Sequence, residues 1–132
     1  MRTDYTIQQG ALVIRVLLDD PSTTLRLIWR GQSVERNPST FLLPFFTQWA
    51  NEAEECGFTL SMDFSRLEFM NSSSISPIIA MVQDLKQRRV PLILRYDGKI
   101  KWQSLSFAAL RVFVGGPGKV TLDDSGEEVL PP

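Results

Sequence analysis

The sequence predicts an α/β domain in which a mixed β-sheet of about four or five strands carries three main α-helices packed on one face. Three observations carry that expectation. Runs of period-two hydrophobicity alternate with runs of helical period in the order β-β-α-β-α-β-α. Each strand after the second follows a helix that can cross over the sheet, the connection that parallel strands require. The chain has 132 residues, 43% of them hydrophobic, which fills one sizeable core, and no linker or repeat divides it. A single domain over 1–132 is expected, with its core at about 11–113 and a Gly/Pro-rich acidic tail over 114–132.

The elements follow in order. ALVIRVLLDD, Ala11 to Asp20, is β-branched and leucine-rich, and Asp-Asp-Pro-Ser closes it as a turn. LRLIWRG sets Leu25, Leu27 and Trp29 on one face and Arg26, Ile28 and Arg30 on the other, a strand ended by Gly31. These two strands are expected to form a hairpin. After the polar QSVERNPST, apolar residues at Leu42, Phe45, Phe46, Trp49, Ala53 and Cys56 have helical spacing, and Gly57 supplies a stop. Pro44 sets the start between Ser39 and Leu43, because a helix tolerates proline best in its first turn.

FTLSMDF alternates again, with Phe58, Leu60, Met62 and Phe64 inward and Thr59, Ser61 and Asp63 outward. From Ser72 the period changes to helical, with Ile75, Ile78, Ile79, Val82 and Leu85 on one stripe up to about Arg89. VPLILRY is the next strand. WQSLSFAALRVF offers a third helix with Trp102, Leu105, Ala109 and Val112 on one side. The tail carries a short strand at Lys119–Leu122 and then frays.

Composition excludes several function classes. Fourteen basic and 15 acidic residues leave a net charge of −1, so the total makes no case for nucleic acid. Cys56 is the single cysteine, which rules out an internal disulfide and permits a reducing compartment. There is no histidine, the side chain used most for acid–base work near neutral pH and the commonest metal ligand. MRTDYTIQQG has the composition of no signal peptide, and nothing approaches the ~20 apolar residues of a membrane span. A soluble, cytoplasmic protein is expected.

The segment FMNSSSISPII, Phe69 to Ile79, is where chemistry concentrates. It lies at a helix N-terminus, where Asn71 or Ser72 can cap the unpaired N–H groups and Pro77 falls in the first turn or so. In the plainest reading it is a cap and a polar loop. The same geometry also favours an anion, because the helix end collects N–H donors and partial positive charge. A phosphoryl group on Ser72 would add between one and two negative charges at that point and change an exposed surface without unfolding the domain.

The run MDFSRLEFMNSSSISPIIAMVQDL resembles the signature of STAS domains, the bacterial anti-anti-sigma factor family. There, a strand ends in an aspartate, followed by a phosphorylatable serine or threonine, a small residue and a glycine that open a helix. LRLIWRGQ resembles the second strand with its closing glycine, VPLILRY the fourth strand and WQSLSFAAL the last helix, so the resemblance covers roughly Leu12 to Phe113. The usual aspartate is Asn71 here, the usual glycine is Ser74, and the aspartate that follows the early glycine is missing after Gly31. Asparagine before the hydroxyl, then Ser-Ser-Ile, is closer to the SiaC-type regulatory phosphoproteins with their Asn-Thr-Ser-Ser-Ile stretch.

The resemblance implies a STAS-like fold and a phosphoacceptor at Ser72, with Ser73 and Ser74 as alternatives. It implies a partner-binding surface built from Met70, Asn71, Ser72, Ser73, Ser74 and Ser76. It also implies a GHKL-type serine/threonine kinase, a PP2C-type phosphatase and, in the SiaC-type branch, a diguanylate cyclase bound by the unmodified form. Such a protein is a regulatory switch in a partner-switching pathway, needing no cofactor, nucleic acid or membrane. The N-terminal hairpin leaves a homodimer open.

Other residues read as structure. Trp29, Trp49 and Trp102 fall on apolar stripes, with Trp102 near a helix start and partly accessible. Cys56 reads as a buried thiol with no histidine to activate it. The run Lys86 to Arg89 reads as a solvated helix end that complements the dipole, with anion or partner recognition as the sharper option. Asp63 and Glu68 have no convincing acid–base partner, and Glu52, Glu54 and Glu55 are expected to face water. An enzyme is disfavoured, since there is no G-x-S-x-G elbow, no P-loop and no metal-ligand cluster, and a serine without a base is a poor nucleophile. The competing binding function is a constitutive scaffold, or a domain that holds a nucleotide or other anion reversibly at the serine loop.

Overall fold

The computed structural model describes residues 4–19, 21–114 and 119–126. Its elements are β1 (Asp4–Gln9), β2 (Leu12–Asp19), β3 (Thr24–Ser33), α1 (Ser39–Cys56), β4 (Thr59–Asp63), β5 (Leu67–Met70), α2 (Ile75–Arg88), β6 (Leu92–Arg95), α3 (Lys101–Ala108) and β7 (Val120–Asp123). Short 3-10 turns stand before α2 at Ser72–Ser74 and after α3 at Ala109–Phe113. The strands form one mixed sheet in the order β1-β2-β3-β4-β6-β7, and β5 pairs with β3.

The sheet is antiparallel from β1 to β3 and parallel from β3 to β7. Its parallel strands are added outward in chain order, so right-handed crossovers put every helix on the same side. The residues agree. Leu12, Ile14 and Val16 of β2, Leu25, Leu27 and Trp29 of β3, Leu60 and Met62 of β4, and Leu92 and Leu94 of β6 are all buried in one cluster. Phe46, Ala50 and Ala53 of α1 and Ile78, Val82 and Leu85 of α2 belong to the same cluster. Trp29 is central: its ring lies 5.9 Å from Phe46 and 4.8 Å from Phe64. Each such Leu, Ile, Val, Met or Phe side chain contributes about 1.5–3 kcal/mol by leaving water.

Seven strands replace the expected four or five, and both unforeseen ones are edge-like. β1 is mostly polar, with Tyr5, Ile7 and Gln9 turned to the helix side, and it is held by its ladder to β2. β5 is four residues long. It exists because β3, at ten residues, outruns the five of β4 and leaves Gly31 to Ser33 in need of a neighbour. Gly31 accordingly does not end β3; it marks a bulge where the strand passes from β4 to β5. Its φ of +79° and a would-be Cβ 1.9 Å from the Ala11 carbonyl oxygen explain why only glycine fits there.

Of the helices, α1 keeps to the expected bounds and α3 departs in the face it buries. α1 starts at Ser39, which puts Pro44 in its second turn on the exposed side, and Gly57 closes it in the left-handed conformation. α3 presents a different face: Gln103, Phe107 and Leu110 point inward, while Leu105 is 68% and Val112 79% exposed. The polar Gln103 hid this face from hydrophobic periodicity, yet its side chain is fully bonded. Its Oε1 accepts from Asp97 N at 2.7 Å, and its Nε2 donates to the carbonyls of Phe64 at 2.8 Å and Leu67 at 3.1 Å. Trp29 and Trp49 are buried and Trp102 half-buried. Cys56 is exposed at the end of α1, not buried as its place on the stripe implied.

Within the tail, Val120–Asp123 pairs in parallel with β6, so the sheet reaches past 11–113 at both ends. The fraying expected at the end of the tail falls on residues 127–132, outside the described ones. No helix among the described residues is long and apolar enough to cross a membrane.

Candidate functional site

The serine segment is built by the end of β3 and the start of α2. β5 lies parallel to Gly31–Ser33, and the ladder ends where Asn71 N donates to the Ser33 carbonyl at 2.9 Å. Asn71 is extended (φ −78°, ψ 167°) and caps the 3-10 turn. Its Oδ1 accepts from Ser74 N at 3.1 Å and from Ser74 Oγ at 2.7 Å, and its Nδ2 donates to the Glu35 carbonyl at 3.0 Å. Below the turn, Ser74 Oγ meets Ser33 Oγ at 2.6 Å. Ser74 is 0% exposed and Ser33 2%. Pro77 is buried in the first turn of α2, where its missing N–H has little consequence.

The six segment residues therefore separate by exposure. Ser72, Ser73 and Ser76 are exposed, and Asn71 is half-buried. Met70 and Ser74 are buried, a correction to the surface expected from sequence: Met70 packs in the core and Ser74 belongs to the interior hydrogen-bond set. As an acceptor Ser74 would have to leave that set, whereas Ser72 and Ser73 stand at the surface.

Three neighbours lie beyond the six residues expected to form the surface. Phe69 is 47% exposed, with its ring 6.3 Å from that of Trp102. Val34, exposed, and Glu35 come from the β3–α1 loop, more than thirty residues upstream, and no local pattern announces them. Only the β3–β5 pairing brings that loop to the serines.

The other candidate groups have structural partners. Arg88 donates to Asp84 at 3.0 Å, to Asn51 at 2.7 Å and to Glu54 at 3.0 Å, joining α2 to α1. Lys86 Nζ donates to the Phe113 carbonyl at 3.0 Å. Asp63 is buried and accepts from Ser65 N at 2.9 Å and Ser65 Oγ at 2.6 Å. At the end of β7, the hydroxyl and backbone N–H of Ser125, with Arg95, hold the Asp123 carboxyl below its ordinary range. A pocket of about 510 Å³ lies between β6, β7 and the segment after α3, lined by Tyr96, Val120 and Leu122 with Arg111 and Asp124, and no residue of the serine turn lines it. Among the described residues no group of three or more Cys, Asp or Glu is placed to hold a metal ion.

Fold and site together define a small α/β domain with a capped turn at a helix start where Ser72, Ser73 and Ser76 are exposed. No protein-family model matches the chain, and comparison with curated proteins finds no match. Solved structures do share the fold. Apo-SiaC from Pseudomonas aeruginosa superposes with a TM-score of 0.62 at 17% identity, over 92% of this chain and 98% of that one. A second SiaC structure from the same organism gives 0.59 at 18% identity, over 91% and 98%. A chain of the complex of the diguanylate cyclase SiaD with its activator SiaC, also from Pseudomonas aeruginosa, gives 0.60 at 20% identity, over 90% and 99%. The SiaC-type fold expected from the motif is the fold of this chain.

Proposed function

We propose that this protein is a regulatory binding protein, not an enzyme, whose association with a partner is controlled by reversible phosphorylation of Ser72. The observation that carries the reading is the division of labour at the serine turn. Asn71 does the capping and Ser74 is interior, so the exposed Ser72 hydroxyl is left for chemistry at the surface. A GHKL-type kinase would move the γ-phosphoryl of ATP onto Ser72 Oγ, releasing ADP and the hydroxyl proton. A PP2C-type phosphatase would hydrolyse the ester with water and return serine and inorganic phosphate. The added charge at the start of α2 would then block a partner that docks on the unmodified turn, since a desolvated unpaired charge costs several kcal/mol.

The target proposed is a diguanylate cyclase, by likeness of fold to SiaC, whose solved complex is with the cyclase SiaD as its activator. Partner switching of the STAS, anti-sigma factor antagonist kind and a cytoplasmic location complete the reading. Phosphosite mapping of the protein recovered from its native cells, with phosphatases inhibited, tests it. Phosphate on Ser72, absent from Ser72→Ala, together with cyclase binding by the wild type and not by Ser72→Asp, is the expected result. Phosphate-free serines across growth conditions would leave a constitutive scaffold or anion-binding domain instead.

A further inference from the structure

An asparagine side chain has one accepting end and one donating end. At Asn71 the partners leave no choice of orientation. The Ser74 backbone N–H only donates, so Oδ1 must face it; the Glu35 carbonyl only accepts, so Nδ2 must face that. One planar amide thus joins the start of α2 to the β3–α1 loop, residues 34–38. The Glu35 carboxylate lies beside Gly10 of the β1–β2 turn. An aspartate would keep the cap but could not donate to the Glu35 carbonyl, and it would set a negative charge against that oxygen.

We propose that the Asn71 amide is a positioning latch that holds the β3–α1 loop against the Ser72 turn, so that residues 34–37 and the turn form one surface. The part of this that concerns regulation rests on phosphorylation at Ser72. A phosphoryl group there lies at the same end of α2 and competes with Asn71 Oδ1 for the Ser74 N–H. Because the amide is rigid, losing the partner at one end frees the other, and the loop loosens with it. Val34, exposed on that loop, and Ser72 are then presented as one unit only in the unmodified protein.

Nuclear magnetic resonance on the full chain tests this. In the wild type, the Asn71 side-chain amide protons exchange slowly with water and show coupling across the hydrogen bond to the Glu35 carbonyl carbon; absence of both overturns the latch without any substitution. In Asn71→Asp, the Ser74 amide stays protected while backbone order parameters for 34–37 fall from about 0.85 to below about 0.6. Asn71→Ala loosens the loop equally and exposes the Ser74 amide as well. A loop as rigid in Asn71→Asp as in the wild type overturns the proposal. Protein carrying phosphoserine at position 72 loosens the loop in the wild-type background and adds nothing in Asn71→Asp; an unchanged loop in the former overturns the relay. Failure to find phosphate on Ser72 in cells would sink the proposed function and leave the latch measurements standing.

Discussion

The hydroxyls of Ser33 and Ser74 meet 2.6 Å apart in the interior, 41 residues apart in the chain. Ser74 has one proton, and Asn71 Oδ1 at 2.7 Å takes it, so Ser33 is the donor between the two serines. The chain of hydrogen bonds runs from the end of β3 through Ser74 to Asn71, which caps the 3-10 turn leading into α2. It gives the buried start of the helix a fixed register against the sheet.

That direction makes the two serines unequal. Ser74→Ala strands the Ser33 hydroxyl and removes a cap contact, at a cost of about 1–3 kcal/mol. Ser33→Ala leaves Ser74 still donating to Asn71 and costs less. Urea unfolding of both variants and of the double variant checks this, with the double costing less than the sum. Additive losses would mean the hydroxyls do not interact.

The inward face of α3 is tested by a pair of substitutions. Phe107 lies 4.6 Å from Phe64 and 5.4 Å from Tyr96 by ring centroid, fully buried, so Phe107→Ala costs about 3–5 kcal/mol. Leu105→Ser, on the exposed side, stays within about 0.5 kcal/mol. Thermal unfolding that ranks them the other way would restore the face expected from hydrophobic spacing.

Gly31 and Gly57 both have positive φ, but their surroundings differ. A Cβ at Gly57 meets nothing within 4 Å, so Gly57→Ala carries only the left-handed backbone penalty of about 1–2 kcal/mol. At Gly31 the Cβ would overlap the Ala11 carbonyl, and β2 and β3 must separate. Gly31→Ala is expected to cost at least twice as much, measured by denaturant midpoint. Equal costs would argue against the bulge geometry.

Asp123 gives a pH dependence. Its carboxyl is lowered in the folded protein by the Ser125 hydroxyl, the Ser125 backbone N–H and Arg95. A depressed acid contributes stability that is present above its ordinary value of 3.8 and lost as pH falls through the folded value below it. The stability gap between wild type and Asp123→Asn should therefore be constant near neutrality and shrink below pH 3.8. A gap that stays constant into acid would remove Asp123 from the account.

The β2–β3 hairpin, α1, β4, α2 and β6 were legible because their faces are uniformly apolar, as with Leu25, Leu27 and Trp29. The motif located Ser72 at a capped helix start. What escaped were features written by partners distant in sequence. β5 has no usable period of its own and exists through Gly31–Ser33. Gln103 carries no hydrophobic signal, and satisfaction of its buried amide is a tertiary property. Ser33 and Glu35 carry no signal until β3 and β5 are aligned, so half of the site's hydrogen-bond set lay outside any local pattern.

The outward order β3, β4, β6, β7 has a consequence for how the chain is made. On the ribosome these strands emerge in the same order in which they pair, each after the helix that precedes it. The unpaired edge of the nascent sheet moves outward with synthesis, from β3 to β4 to β6, and each in turn offers its backbone to other chains. β7 ends that exposure with four residues and an aspartate at its end, short and charged as a finished edge should be. Pairing of Val120–Asp123 with β6 completes the parallel side of the sheet.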